Sequence, residues 1–299
     1  MKRRYVTVDV FTNNRFGGNP LAVVLDAAGL DGATMLAITR EFNYSETTFV
    51  LPPKDKTHTA HVRIFTPAGE LPFAGHPNVG TAYALARIGK AFDKPIKDSL
   101  MFEEAAGLVP VRILLDGDDA VGAQLTAPQR LTTGAKVTIA KVAKCLGLAE
   151  ADITDATHAP MVASVGTGFL VVELRDREAL RRARGNADAF AKHLTAEQSK
   201  LLFYVRGARA TQLHARMFFL VDGAIREDPA TGSANAALAA LLAELSTRRT
   251  GTLSLRIAQG EDMGRPSLLM SEVDKSAGSV GAVRIGGHCV PVMEGLLEA

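Results

Sequence analysis

The sequence predicts an α/β chain, of the α+β kind, built from two similar domains. Three observations carry this. At 299 residues the chain is long for one hydrophobic core and comfortable for two of about 150 residues each. Short β-branched or apolar runs alternate with Ala-rich helical stretches. One strand–loop–helix unit also occurs twice. Val62-Arg-Ile-Phe65 matches Ala215-Arg-Met-Phe218, each begins a loop with glycine and proline, and each loop opens an Ala-rich helix. The second loop is four residues longer, counted from Arg63 to Gly75 and from Arg216 to Gly232.

Composition narrows the function. The chain is 47% hydrophobic and 22% charged, an ordinary globular balance. Its formal charge of +2 gives no electrostatic case for nucleic acid or a membrane surface, so neither is an expected partner. Met1-Lys-Arg-Arg4 looks like the charged start of a signal peptide, but Tyr5 to Phe11 alternates and contains Asp9, as a strand does. No apolar run approaches transmembrane length. Cys145 and Cys289 lack metal-ligand spacing and read as reduced, buried residues, which fits a cytoplasmic protein.

In chain order, Asn13 to Pro20 is a turn cluster, Leu21 to Leu25 a short strand and Thr34 to Phe42 a helix. Thr47 to Leu51 is β-branched and apolar, a strand with Glu46 at its mouth. On its own Glu46 reads as a solvated turn residue. Val62 to Phe65 is a strand, Thr66 to Asn78 a loop and Val79 to Arg87 a helix. Gly75-His76 in that loop occupies the place of Gly232-Ser233 in the second copy. The seam is expected near Gln124 to Gln129, after the strand Val109 to Leu115. That places domains at 1–125 and 126–287, with 288–299 expected to pack on the first. Beyond the seam, Val137 to Leu146 is a helix, and Val162 to Glu173 is two strands or one interrupted by Gly166 and Gly168. Arg177 to Lys200 is charged and helix-prone, with Arg181, Arg182 and Arg184 as a solvated face. Gly281 to Met293 reads as a hairpin around Gly286-Gly287.

The second copy carries the densest chemistry. Within Arg226 to Asn235, Pro229 has no backbone donor and pushes Asp228 toward extended geometry, so an irregular segment is expected. A polar loop with Asp228, Thr231 and Ser233 then feeds the helix Ala236 to Leu245. Free N–H groups at that helix start favour an anion such as a carboxylate, and Gly232 permits close approach. An ordinary Ser or Thr N-cap is the competing reading, and this stretch alone leaves both open. If two such domains face each other, both helix starts aim at one cleft, which favours a small acidic ligand.

Glu46, His76 and Asp228 lie on the predicted rims of such a cleft. Two carboxylates and an imidazole with backbone donors suit proton transfer, and a partly dry cleft would raise a carboxyl pKa toward the working pH. The rivals are poorer. A Ser233–His76–Asp228 triad lacks the G-x-S-x-G elbow. His58 and His61 point to opposite faces if both are on a strand, against a metal site. Gly29-Leu-Asp-Gly32 and Gly166-Thr-Gly168 lack the spacing of a phosphate loop. No metal, nucleotide or other cofactor is expected.

Gly17-Gly-Asn-Pro20, Ser45-Glu-Thr-Thr-Phe49, Phe65-Thr-Pro67, Glu70-Leu-Pro-Phe-Ala-Gly-His-Pro77 and Glu227-Asp-Pro-Ala-Thr-Gly-Ser-Ala234 together resemble, in order, the signatures of the PhzF family. The resemblance runs from the first strand to the last. It implies a diaminopimelate-epimerase-like fold: two pseudo-symmetric domains, each a curled, mostly antiparallel sheet around a central helix, with the active site between them. It also implies cofactor-independent isomerisation of a small carboxylate, such as a dihydro-hydroxyanthranilate, in a homodimer. Carried over residue by residue, Glu46 matches the proton-shuttling acid/base, and His76 and Asp228 its partners. Gly75 with His76, and Gly232 with Ser233, match the carboxylate-binding turns; Asn19, Tyr44 and the Gly166–Gly168 turn are candidates for specificity. Epimerases of the wider superfamily use two cysteines, one per loop. Here Ala74 and Thr231 flank those turns, so a thiol pair is disfavoured. Two alternatives remain: a binding or interaction protein on the same scaffold, and an epimerase working through carboxylates.

Overall fold

The computed structural model describes residues 1–299. It is a mixed α/β structure dominated by sheet, and the chain divides into two compact units. Unit 1 comprises Met1–Thr126 with Gly286–Ala299, and unit 2 comprises Ala127–Ile285.

Unit 1 contains β1 (Lys2–Val10), β2 (Asn19–Val24), α1 (Gly32–Phe42), β3 (Glu46–Leu51), β4 (Ala60–Thr66) and β5 (Gly69–Leu71). There follow α2 (Gly75–Ile88), the short pair β6 (Lys90–Ala91) and β7 (Lys94–Pro95), then β8 (Ser99–Glu104), β9 (Gly107–Asp116) and β10 (Asp119–Thr126). Pairing is mainly antiparallel, with parallel contacts at β2–β3 and β4–β8.

The organising element is α2. Every residue from Gly75 to Leu85 is buried, and the helix packs on β1, β2, β3, β9 and β10. Small residues make this possible: a Cβ on Gly80 would sit 2.6 Å from Leu21 and 2.7 Å from Val10. On the other side of the strands, α1 contributes Met35 to a cluster with Val24, Ala27, Phe49 and Phe65. With both faces covered, β2 reads as an unbroken apolar run rather than an alternating one.

Unit 2 contains β11 (Thr132–Lys136), α3 (Ile139–Leu146), β12 (Ile153–Thr154), β13 (Met161–Ser164), β14 (Gly168–Leu174), α4 (Arg177–Arg182), α5 (Ala187–His193) and β15 (Lys200–Arg206). It continues with β16 (Gln212–Val221), β17 (Ala224–Asp228), α6 (Gly232–Leu245), β18 (Gly251–Gln259), β19 (Ser267–Ser276) and β20 (Ser279–Glu298), whose end belongs to unit 1. Here α6 is the buried helix, packed on β13, β14, β18 and β19. Because it is apolar all round, burial is where it must go. Helices α3, α4 and α5 close the opposite face through Val142, Leu146, Leu180 and Phe190.

The recurring Arg-x-Phe pattern has a shared physical basis. Arg63 donates to both oxygens of Glu70 at 2.7 and 2.6 Å and lies 5.1 Å over the Phe65 ring. Arg216 donates to both oxygens of Glu227 at 2.8 Å and lies 4.9 Å over Phe218. Phe65 pairs with Glu70 across one hairpin and Phe218 with Glu227 across the other. Glu70 and Glu227 each precede the helix glycine by five residues, so the four extra residues lengthen the second hairpin only.

Several expectations need correcting. The loop before α2 is shorter than predicted, because β5 forms within it and the helix begins at Gly75; Pro77 fits the first turn, where no amide donor is needed. Arg226 to Asp228 is not irregular but strand, leaving Pro229 to Thr231 as the connection. In Arg177–Lys200 only the end differs: the helix-prone stretch forms two short helices and Arg181, Arg182 and Arg184 are exposed as expected, but Lys200 opens β15. His58 lies in the turn before β4, not on a strand, with its ring 2.9 Å from Glu103.

Most clearly, there is no hairpin at Gly286-Gly287. β20 runs straight through for 20 residues. The glycine there serves close strand approach: a Cβ on Gly286 would lie 2.7 Å from Gln124 Cα, and one on Gly122 would lie 2.8 Å from His288 Cα. Gly122→Ala is therefore expected to cost about 1–3 kcal/mol by overpacking against backbone, read as a lowered midpoint in urea or thermal unfolding.

Candidate active site

In unit 1 three side chains converge because their elements start at one end. Asn19 opens β2, Glu46 opens β3, and His76 is the second residue of α2. β2 and β3 run parallel with Leu21 beside Glu46, so both strand mouths lie together. Glu46 Oε2 stands 3.6 Å from His76 Nε2, with the Glu46 side chain 17% exposed and that of His76 6%. Ser45 Oγ donates to Asn19 Oδ1 at 3.0 Å, which turns the Asn19 amide nitrogen toward His76 Nδ1, 3.5 Å away.

Burial governs the imidazole. It pushes His76 down to about 3 against the Pro20 carbonyl, which pulls the other way. His76 is thus held neutral and places no positive charge beside Glu46. At the start of α2, Ala74 makes no side-chain cap bond, while Asn78 Nδ2 donates back to Ala74 O at 2.9 Å. The Gly75–His76 turn therefore presents backbone donors suited to an anion.

In unit 2 the matching turn is Thr231-Gly232-Ser233. Thr231 is the N-cap residue but its hydroxyl does not cap the helix; it donates to Asp228 Oδ2 in a short bond. Gln259, at the end of β18, fixes the rest. Its Nε2 donates to Asp228 O at 2.7 Å and to Thr231 Oγ1 at 3.2 Å. Its Oε1 accepts from Thr231 N at 3.2 Å and from Asn235 Nδ2 at 2.6 Å. Asn235 also donates to Thr231 O at 3.0 Å, as Asn78 does to Ala74.

The structure thus gathers Glu46, His76, Asn19 and Gly75 in unit 1, and Asp228, Gly232 and Ser233 in unit 2. Four supporting residues escaped sequence reasoning: Ser45, Asn78, Asn235 and Gln259. Asn78 and Asn235 were visible, each three residues after its turn glycine. Gln259 is far along the chain and gives no local signal.

Other chemistry is sparse. Both cysteines are free and buried, and burial pushes Cys145 up to about 11 and Cys289 to about 12. Neither lies in the two turns. No three His, Cys, Asp or Glu side chains gather as a metal site, and no helix is long and apolar enough to cross a membrane. A groove of about 420 Å³ lies at the other end of α2, lined by Arg15, Ile88, Pro291 and Met293 among others, and contains none of the predicted site residues.

The family model for phenazine biosynthesis-like proteins, PhzC-PhzF, matches residues 8–295. The chain belongs to this family. A Mesorhizobium japonicum protein named as an uncharacterized isomerase is 39% identical, over 99% of this chain and 98% of that one. Trans-2,3-dihydro-3-hydroxyanthranilate isomerase of Pseudomonas aeruginosa is 33% identical over 98% of both. The crystal structure of a Bacillus anthracis phenazine biosynthesis protein of the PhzF family covers 100% of both chains with a TM-score of 0.89 at 24% identity, a likeness of fold. Among these PhzF relatives, those with a named reaction class are isomerases.

Neutral burial of His76 has a measurable signature. The unfolded chain takes up a proton near 6.5 that the fold refuses until about pH 3. Stability contributed by this group is present above 6.5 and lost as pH falls toward 3. His76→Gln is expected to flatten that acid-side loss by a few kcal/mol, measured as urea unfolding free energy between pH 7 and 4.

Proposed function

We propose that the protein is a cofactor-independent isomerase of the PhzF type, acting on a small carboxylate of the dihydro-hydroxyanthranilate kind. The observation that carries this reading is a carboxylate, Glu46, 3.6 Å from a buried neutral imidazole at the donor-rich start of α2. Full-length relatives named as isomerases support it.

In this reading the Gly75–His76 backbone binds the substrate carboxylate, and the Gly232–Ser233 turn has the same use. Glu46 takes a proton from a ring carbon; the C–H electron pair forms a new C=C bond to the neighbouring carbon, and the displaced π pair takes the proton back at the far carbon of the old double bond. No electrons enter or leave, so no redox partner is required. Glu46 alternates between acid and anion within one turnover. An imidazolium at 3.6 Å would pin it as the anion, whereas neutral His76, its one N–H turned to the Pro20 carbonyl, leaves Nε2 as an acceptor for the acid form and no cation to trap the anion. Asp228, held by Thr231 and Gln259, takes a supporting role, and Asn19 with Ser45 orients His76. We further read the two units as copies of one epimerase-like domain, and the protein as a cytoplasmic homodimer.

A proton shuttle through one carboxyl makes a sharp demand. Glu46→Gln keeps size and hydrogen bonding but cannot carry the proton. Turnover of trans-2,3-dihydro-3-hydroxyanthranilate, followed by absorbance and by deuterium uptake from D2O, is expected to fall at least about 100-fold with little change in unfolding midpoint. Unchanged turnover in the variant would remove Glu46 from the mechanism. Binding of the compound without turnover by the unaltered protein would favour a silent binding scaffold instead.

A further inference from the structure

The two turns are held by different chemistry. In unit 2 the clamp is an amide, Gln259, which sits on β18 opposite Ala215 of β16. In unit 1 the parallel strand beside β4 is β8, with Glu103 opposite His61. In unit 2, Ala258 lies opposite His214. His61 and His214 each stand two residues before the arginine of the shared Arg-x-Phe pattern. The residue of unit 1 in the position of Gln259 is therefore Glu104. Its partner asparagine corresponds too: Asn78 for Asn235, each bonded to the carbonyl of its N-cap residue.

A carboxylate at this position leaves the hydrogen bonding incomplete. Gln259 brings a donor as well as an acceptor, and uses both. Both oxygens of Glu104 are shut off from solvent without a hydrogen-bond partner, and so is Asn78 Oδ1. Against these three buried acceptor atoms stands one side-chain donor, the Asn78 amide, which already donates to Ala74 O. One proton supplies what is missing, since a protonated carboxyl has a donor and an acceptor arranged as in an amide. We propose that Glu104 is a positioning residue that works as a neutral carboxylic acid, clamping the Ala74–His76 turn as Gln259 clamps the Thr231–Ser233 turn, and that ionising it loosens the turn.

The electrostatics agree. Burial pushes Glu104 up to about 8, opposed by the neighbouring Asn78 amide. Ionisable groups on the surrounding elements include His76, Tyr83 and Arg87 on α2, His61 and Arg63 on β4, Glu70 on β5, Glu103 on β8 and Arg112 on β9. His76 is neutral, Glu103 is taken up by the Lys54 and Asp55 amides and by His58, and Glu70 by Arg63. None of these charges acts on Glu104. A carboxyl raised in the folded state contributes stability below its unfolded value of 4.5 that is lost as pH rises through about 8.

The test does not need a substrate. With glutamate labelled at the side-chain carboxyl carbon, one resonance is expected to titrate near pH 8 and to be missing from Glu104→Gln. The same variant is expected to match the unaltered protein in stability near pH 4 and to exceed it progressively up to pH 9. Gln259→Glu is expected to install a second alkaline loss in unit 2. A Glu104 resonance titrating near 4.5, or a Glu104→Gln variant whose stability follows the same pH curve as the original, overturns the proposal. Its bearing on catalysis rests on the isomerase reading. There Glu104→Gln should remove an alkaline limb of kcat/KM near pH 8, whereas an inactive protein with the expected titration would count against the isomerase reading alone.

Discussion

Everything in this molecule answers to two helices that have no outside. α2 and α6 are buried along nearly their whole length, so the strands around them must approach closely and the helices must be made of small residues. Ala-rich sequence is therefore a packing requirement as much as a helix preference. A buried helix also cannot hand its first amide groups to bulk water. Those first amides have no partner within the helix, and side chains around each start brace the turn.

The means of doing so differ from an ordinary helix cap. A side chain bonded to the first-turn amides would occupy the donors that an anion needs. Asn78 and Asn235 bond instead to the carbonyl of the N-cap residue, and Thr231 directs its hydroxyl at Asp228. Each turn is thus braced through its carbonyl and not through its first amides. Burial likewise acts on His76, suppressing its charge where it stands 3.6 Å from Glu46.

Much of this was legible before any coordinates. Glu46 at a strand mouth follows from the β-branched run after it, and the repeat is written in two Arg-x-Phe sequences whose arginines each grip a glutamate and a ring. Local reasoning failed where distant chain decides. Gly286-Gly287 looks like a turn because glycine permits one, but nothing nearby reveals that a second strand passes within contact of it. Pro229 suggested disorder of regular structure too early, since the β16 partner carries strand through Asp228. Gln259 becomes significant only once parallel pairing with β16 sets it beside the turn.

The path of β20 has a consequence for how the chain is made. Residues 127–285 of unit 2 are contiguous, whereas β1 of unit 1 pairs with Cys289 to Glu298. A ribosome delivers β1 first and its partner last. Unit 2 can close while synthesis continues, but unit 1 must wait with Val8 and Val10 of β1 lacking their final neighbour. The half of the molecule that carries Glu46 and His76 is thus the half whose sheet is completed by a strand made after all of unit 2.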